Sequence, residues 1–393
     1  MINSRVPEAV RAVAADGTQL RYALMEMAAQ YDDVIALGRG DPDLPTPAHI
    51  ITAAQDALRA GRTAPTAVAG MDELRVAIAR KLRDENGIPA EAANVIVTTG
   101  GQEGLYLIMQ ALLNPGDEVL VPDPRYTSYD EAIESAGGSM VMIPTDHDDA
   151  FNLRAETVEA AITPQTKALL IVTPSNPTGG IVTEQRLRAI AEVAIRHNLI
   201  VIADEIYEKF VYDDWQHFSI GSLPGMAERT ITLNGFSKTY AMTGLRVGYA
   251  AAPADFIDAM TRIKALTTGP AATISQWAAL AAVTGPKEPI EAFRQIYAER
   301  RQAMMDGLTA MGLDYSEPRG AFFFWTNSSP TGIHATELSY LLLSEGRVLI
   351  FPGTGFGDQW GGYLRISILQ STDKIREALK RMQAVMERYR LEG

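Results

Sequence analysis

The sequence predicts an α/β protein: a mainly parallel sheet sandwiched by helices, followed by a smaller α+β part. Three observations lead there. Short, continuously apolar runs (VIVT at 95–98, EVLV at 118–121, KALLIV at 167–172, LIVIA at 199–203, TITL at 230–233) alternate with stretches of helical spacing. Strands that are apolar on both faces belong inside a parallel sheet covered by helices. Each run ends in a cluster of Gly, Pro, Asn or Asp, the residues that turn a chain. From about residue 255 the pattern turns helical, and GAFFFW (320–325) and YLRISI (363–368) then read as antiparallel strands.

In chain order, residues 5–30 have helical spacing and suit an N-terminal arm or helix packed on something larger. A short strand at 34–37 runs into the turn Gly38-Arg39-Gly40-Asp41-Pro42-Asp43. Helices are expected over 49–60 and 71–85, separated by a loop at 61–70. The strand at 95–98 meets a glycine pair, Gly100-Gly101, before a helix over 104–113. Strand, glycine pair and helix start can present backbone N–H groups to a phosphate, although many such junctions bind nothing. Further strands are expected at 139–143 and 247–252, with helices at 184–197 and 291–311, the last leading into a second, smaller domain. Ligands of such sheets bind beyond the carboxyl ends of the strands. Gly101, Tyr126, Asn176, Asp204 and Lys238 all follow strand ends, and that shared placement carries more weight than any one motif.

The most informative stretch is NGFSKTYAMTGLRVGY, 234–249. Lys238 comes just after a buried strand, where desolvation lowers an amine's pKa and frees it to act as a nucleophile. Ser237 and Arg246 add a hydroxyl and a planar fork suited to phosphate. Lysine, hydroxyl and arginine together point to a phosphorylated carbonyl compound, of which pyridoxal phosphate is the obvious one. Arg365, flanked by Leu364 and Ile366 in YLRISI, points off the other face of its strand. It is either solvated or a clamp for a substrate carboxylate.

Composition narrows the field. At 393 residues there is room for two domains, and the net charge of −13 disfavours nucleic acid or anionic membrane as a general partner. The absence of cysteine removes disulfides and thiolate chemistry and suits a cytoplasmic setting. The five histidines lack ligand spacing, so no metal site is expected. No apolar run reaches the length of a membrane span.

SNPTGG, ADEIY, NGFSKTYAMTGLRVGY and YLRISI, in that order and spacing, resemble the class I aminotransferases of the aspartate aminotransferase superfamily, fold type I pyridoxal-phosphate enzymes. The resemblance runs from about Val34 to the C-terminus. It implies a seven-stranded sheet in a large cofactor-binding domain over 46–285, a small domain over 286–393, and an arm over 1–45 that is partly built into the small domain. It implies transfer of an amino group between an L-amino acid and a 2-oxo acid through a Schiff base on Lys238, in a homodimer. Lys238 then also moves the substrate proton, Asp204 pairs with the pyridine nitrogen, and Tyr207 and Asn176 bond the ring hydroxyl. Ser237, Arg246 and the backbone at Gly101 and Gln102 hold the phosphate. Tyr126 stacks on the ring, Arg365 takes the α-carboxylate, and Gly40 leaves room for substrate.

Two departures qualify this. Pro65 stands where the family usually has a tyrosine that reaches the neighbouring subunit's phosphate, with Thr63 and Thr66 as poor substitutes. Gln102 stands where relatives preferring acidic substrates often have lysine, so no grip on a distal carboxylate is visible unless Arg39 supplies it. Elimination, racemisation or oxidation of an amino acid are therefore alternatives in the same fold.

Overall fold

The structure is a computed structural model and describes residues 17–389. Residues 5–16 of the expected arm lie outside the described residues. The remainder forms helix α1 (Gly17–Ala28), followed by strand β1 (Ile35–Ala36), α2 (Ala48–Arg59), α3 (Asp72–Asn86), β2 (Val95–Thr98) and α4 (Gly100–Leu112). Next come β3 (Glu118–Asp123), α5 (Ser128–Ser135), β4 (Ser139–Pro144), α6 (Ala155–Ala160), β5 (Thr166–Val172), α7 (Glu184–Arg196), β6 (Ile200–Asp204), β7 (Thr230–Gly235) and β8 (Gly248–Ala251). The chain closes with α8 (Ala254–Thr267), α9 (Thr273–Thr284), α10 (Glu288–Ala310), β9 (Asp314–Ser316), β10 (Phe323–Asn327), α11 (Ala335–Ser344), β11 (Val348–Leu349), β12 (Phe351–Pro352), β13 (Tyr363–Ser367) and α12 (Thr372–Tyr389).

Seven strands make the main sheet, in the order β2-β8-β7-β6-β5-β3-β4. Only β8 runs against its neighbours. Successive side chains leave a strand on opposite faces, so an apolar run feeds two cores at once. Leu170 and Val172 of β5 join Ile202, Leu233, Leu105 and Ile108 on the face covered by α4 and α8. Leu169 and Ile171 join Val201, Leu187 and Ile190 on the face covered by α7. Val95 and Val97 pack with α3 and α9 on that second side through Leu74, Ile78, Ala278 and Ala279.

The second sheet, β12-β13-β10-β9, is antiparallel. Helices α10, α11 and α12 cover it with Met304, Leu338 and Met382. Its neighbours include the start of the described chain: β1 pairs with β11, Leu37 N–H donates to Leu349 O at 2.9 Å, and Ser367 N–H donates to Leu37 O at 2.6 Å. GAFFFW becomes a strand only from Phe323, because Gly320 bridges instead to Val211. The alternation in YLRISI gives no solvent face either: Leu364, Arg365 and Ile366 are all buried. Among the described residues no helix is long and apolar enough to cross a membrane.

Candidate active site

The parallel strands β3, β5, β6 and β7 end on one edge of the main sheet. Because β8 is antiparallel, its first residue lies at that same edge, with Gly248 beside Thr98 and Gly235. This reversal brings Arg246, just before β8, to the place where the other strands finish. A cavity of 340 Å³ opens there. All eleven residues singled out in the sequence line it: Gly40, Gly101, Gln102, Tyr126, Asn176, Asp204, Tyr207, Ser237, Lys238, Arg246 and Arg365. They come from seven separate segments of the chain.

One end of the cavity is a cradle of donors. Helix α4 starts at Gly100, four residues before the start expected from its apolar pattern, so the glycine pair forms its first turn. Gly100 has φ +79°, and a Cβ there would lie 2.5 Å from Arg246 Nη2; a Cβ on Gly248 would lie 2.8 Å from the Gly100 carbonyl carbon. Only glycine lets these two backbones and the guanidinium meet. Arg246 itself adopts φ 48°, with Nη1 donating to Thr243 O at 3.0 Å. The turn is braced from behind by Glu103, which accepts from the Thr99 N–H and from Lys264 Nζ at 2.6 Å, where Lys264 is fully buried.

At the other end Asp204 is buried. Tyr129 Oη donates to its Oδ2 at 2.7 Å and Ile206 N–H to its Oδ1 at 3.2 Å. Burial pushes the carboxyl up to about 6, against these hydrogen bonds, and the adjacent Glu205 charge adds to the rise. Beyond the Asp204–Tyr207 turn lies a buried polar network. Lys81 Nζ contacts Glu208 and donates to Asn86 Oδ1 at 2.8 Å; Asn86 Nδ2 donates to Glu208 Oε2 at 2.7 Å and to Ser219 Oγ at 2.9 Å; Ser219 donates to Glu205 Oε2 at 2.7 Å. The fold thus brings His217 within 3.2 Å of Glu205, a meeting that histidine spacing in the sequence does not reveal. Lys81 supplies the countercharge.

Lys238 lines the same cavity, its side chain 16% exposed, with Nζ 2.9 Å from Gly40 O and 3.2 Å from Asp41 Oδ1. Burial lowers its pKa, Asp41 opposes this, and the Arg365 and Arg246 charges reinforce it. Arg365 of β13 lines the cavity and is buried. It donates through Nη1 to Asn176 Oδ1 at 3.1 Å and through Nη2 to Gly38 O, while its buried Nε has no partner. Rings of Phe323 and Phe356 lie 4.5 and 4.6 Å from its Cζ. Burial and the nearby Arg21 charge bring its pKa down to about 9. Tyr207 is buried edge-on to Phe322 and Phe323, and burial raises its phenol pKa.

A part-buried amine, the start of a helix beside an arginine, a buried carboxylate and a second, buried arginine thus line one cavity. The family model for class I and II aminotransferases matches residues 32–382. The chain belongs to this family. It is 41% identical over 371 residues to an aspartate aminotransferase of Pyrococcus abyssi, covering 94% of this chain and 95% of that one. An aromatic-amino-acid aminotransferase of Thermococcus litoralis is 39% identical over 371 residues, with 94% and 95% covered. The solved aspartate aminotransferase of Thermus thermophilus with maleate superposes with a TM-score of 0.91 at 39% identity, over 97% of this chain and 99% of that one.

The aminotransferase site also holds residues that the sequence did not single out. Tyr129, Asp41 and Arg21 line the same cavity. Tyr129 had a signal, a second tyrosine three residues after Tyr126 at a strand end. Arg21 had none, because only the tertiary fold brings α1 to the site. Arg39 is a salt-bridge partner of Asp41 at 3.7 Å and does not line the cavity. Thr66 bonds Gln276 at 2.9 Å, and Pro65 is exposed in the loop beside it.

Proposed function

We propose that this aminotransferase binds pyridoxal 5′-phosphate at the cavity and moves an amino group between an L-amino acid and a 2-oxo acid, with Lys238, Asp204 and Tyr207 as its catalytic side chains. When bound, the cofactor supplies a carbonyl that exchanges nitrogen and a ring that withdraws electrons from the substrate Cα. The gathering of eleven residues from seven separate segments round one cavity, Lys238, Asp204 and Arg246 among them, carries the reading.

The roles follow from what each side chain offers. The N–H groups of Gly101 and Gln102 at the start of α4, the Ser237 hydroxyl and the Arg246 guanidinium hold the phosphate. Asp204 has two neutral donors and, among the described residues, no cation, so its buried charge is uncompensated and would be met by a protonated ring nitrogen. That pairing keeps it ionised. Tyr207 and Asn176 bond the ring hydroxyl, and Tyr126 lies against the ring. Lys238, made less basic by burial, would take the proton from the substrate Cα and deliver it to the C4′ carbon of the bound cofactor. Arg365 and Asn176 receive the α-carboxylate, and Gly40 leaves the approach open.

The same reading divides the chain into an arm over 1–45, a cofactor domain over 46–285 and a small domain over 286–393. The separate cores of the two sheets and the pairing of β1 with β11 support this division. A homodimer working in the cytoplasm completes the reading.

The test is a single-turnover assay with one L-amino acid at a time and no oxo acid present. Release of one equivalent of 2-oxo acid per cofactor, lost in Lys238→Ala, is the expected result. Ammonia with more than one equivalent of oxo acid, or turnover that survives Lys238→Ala, overturns the proposal.

A further inference from the structure

Helix α8 buries one stripe of side chains against α4, and the third member of that stripe is a lysine. Ile257, Met260 and Lys264 recur at helical spacing and are all buried, the first two in the core that holds Leu105, Ile108 and Leu112 of α4. The Lys264 side chain is fully buried, at a position an apolar residue would fill without desolvating a charge. Its Nζ donates to Glu103 Oε2 at 2.6 Å and to Thr268 Oγ1 at 3.1 Å. Glu103 also accepts from the Thr99 N–H and from the Thr268 hydroxyl. Burial alone would raise the Glu103 carboxyl, but these donors, Lys264 first, hold it below its ordinary value.

Stability does not account for this pair. Apolar residues of the same volume match or better a buried ion pair, because both charges lose their hydration. Position accounts for it. Glu103 lies in the first turn of α4, directly after Gly101 and Gln102, which line the cavity. The first N–H groups of a helix have no partner within it and suit an anion. An acid in that turn stabilises an empty helix start but repels an anion docked on the same N–H groups. Left alone behind the cradle, the Glu103 charge would oppose a phosphate dianion at short range, where little water screens it. Lys264 removes that opposition. Through Glu103 and the Thr99 N–H it also fixes the turn in which Gly100 approaches Arg246. Lys264 itself does not line the cavity.

We propose that Lys264 is a positioning residue for the cofactor phosphate, cancelling the Glu103 charge and anchoring the turn so that the start of α4 accepts a dianion. This rests on the reading that Gly101, Gln102, Ser237 and Arg246 hold that phosphate. It assigns a role in cofactor binding to a side chain of α8 that touches neither cofactor nor substrate.

The readout is the phosphate's share of binding: the affinity of the cofactor-free chain for pyridoxal phosphate divided by its affinity for pyridoxal, both titrated by absorbance. The parent is expected to prefer pyridoxal phosphate at least about 100-fold. Lys264→Gln keeps a donor for Glu103 but loses the charge, and the ratio should fall at least about 10-fold. Glu103→Gln keeps an acceptor for the Thr99 N–H and leaves the ammonium in place, so the ratio should hold or rise. The double variant, neutral again, should return to within about 3-fold of the parent. A pair that only held two helices together would lower both affinities alike and leave the ratio where it was. An unchanged ratio in Lys264→Gln therefore overturns the proposal, and so does an equal fall of the ratio in both single variants. The cradle itself fails by a different result, a parent that binds pyridoxal as tightly as pyridoxal phosphate, which would remove this inference with it.

Discussion

Replacing Lys81 by Met tests the buried network behind the Asp204–Tyr207 turn. Lys81 and Glu208 expose only 6% and 4% of their side chains. Burial alone would raise the Glu208 carboxyl, but the Lys81 charge and hydrogen bond, helped by Lys209 and His217, hold it well below the usual carboxylate range. Removing one partner of a buried pair leaves the other charge uncompensated, at a cost of about 3–5 kcal/mol. Unfolding entropy of about 2.1 cal/mol/K per residue comes to roughly 0.8 kcal/mol/K for a chain of 393 residues. If the chain unfolds as one unit, Lys81→Met should therefore lower the melting midpoint by about 4–6 °C at pH 7. The double variant Lys81→Met, Glu208→Gln, which removes both charges, should recover most of the loss, and circular dichroism melts of the four proteins form the cycle. The sign with pH is fixed as well. A carboxyl with a depressed folded pKa stabilises above its unfolded value near 4.5 and loses that contribution as pH falls toward the folded value. In Lys81→Met the same carboxyl is strained at pH 7 and relieved by protonation. The gap between parent and variant should narrow from pH 7 toward pH 4. A variant within 1 °C of the parent, or a double variant no better than the single, would refute the reasoning.

Two further outcomes follow from the site. Asp204, raised by burial to about 6, contributes stability below its unfolded value of 3.8 that is lost as pH rises through 6; cofactor-free Asp204→Asn should therefore exceed the parent by up to about 3 kcal/mol at pH 7.5. The two should converge near pH 4 in denaturant titrations, while the variant loses turnover. Gly248→Ala drives a methyl to 2.8 Å from the Gly100 carbonyl carbon and forces the start of α4 away from Arg246. Pyridoxal phosphate affinity, measured by titrating the cofactor-free protein, should fall at least about 10-fold, and an unchanged affinity would show that the glycine contact is not part of the cradle.

Much of this was legible in the sequence because buried parallel strands write themselves as unbroken apolar runs. VIVT became β2 residue for residue, and the runs at 118, 139, 167, 199 and 230 became strands with ends shifted by at most two residues. The site was legible for the same reason, since a residue after each run is carried to the common edge. Short elements such as β9, β11 and β12, of three, two and two residues, escaped notice because so few positions carry no period. The buried network was hidden in a different way. Lys81 looks like one more charge on the helix 71–85, and only the packing of α3 against the turn after β6 shows that it is buried. Arg21 lies in a segment whose spacing announces a helix but not what that helix touches.

The pairing of β1 with β11 has a consequence for how the protein is made. Leu37 waits for Leu349 and Ser367, and Gly38 waits for Arg365, across a separation of more than 300 residues. At a synthesis rate of about 5–20 residues per second, roughly 15–60 s pass between the emergence of the first partner and the last. Throughout that interval the opening segment has no sheet to join and the carboxylate clamp proposed at Arg365 does not exist. The nascent chain can complete its main sheet on the ribosome, yet it becomes an enzyme only when its final strand arrives.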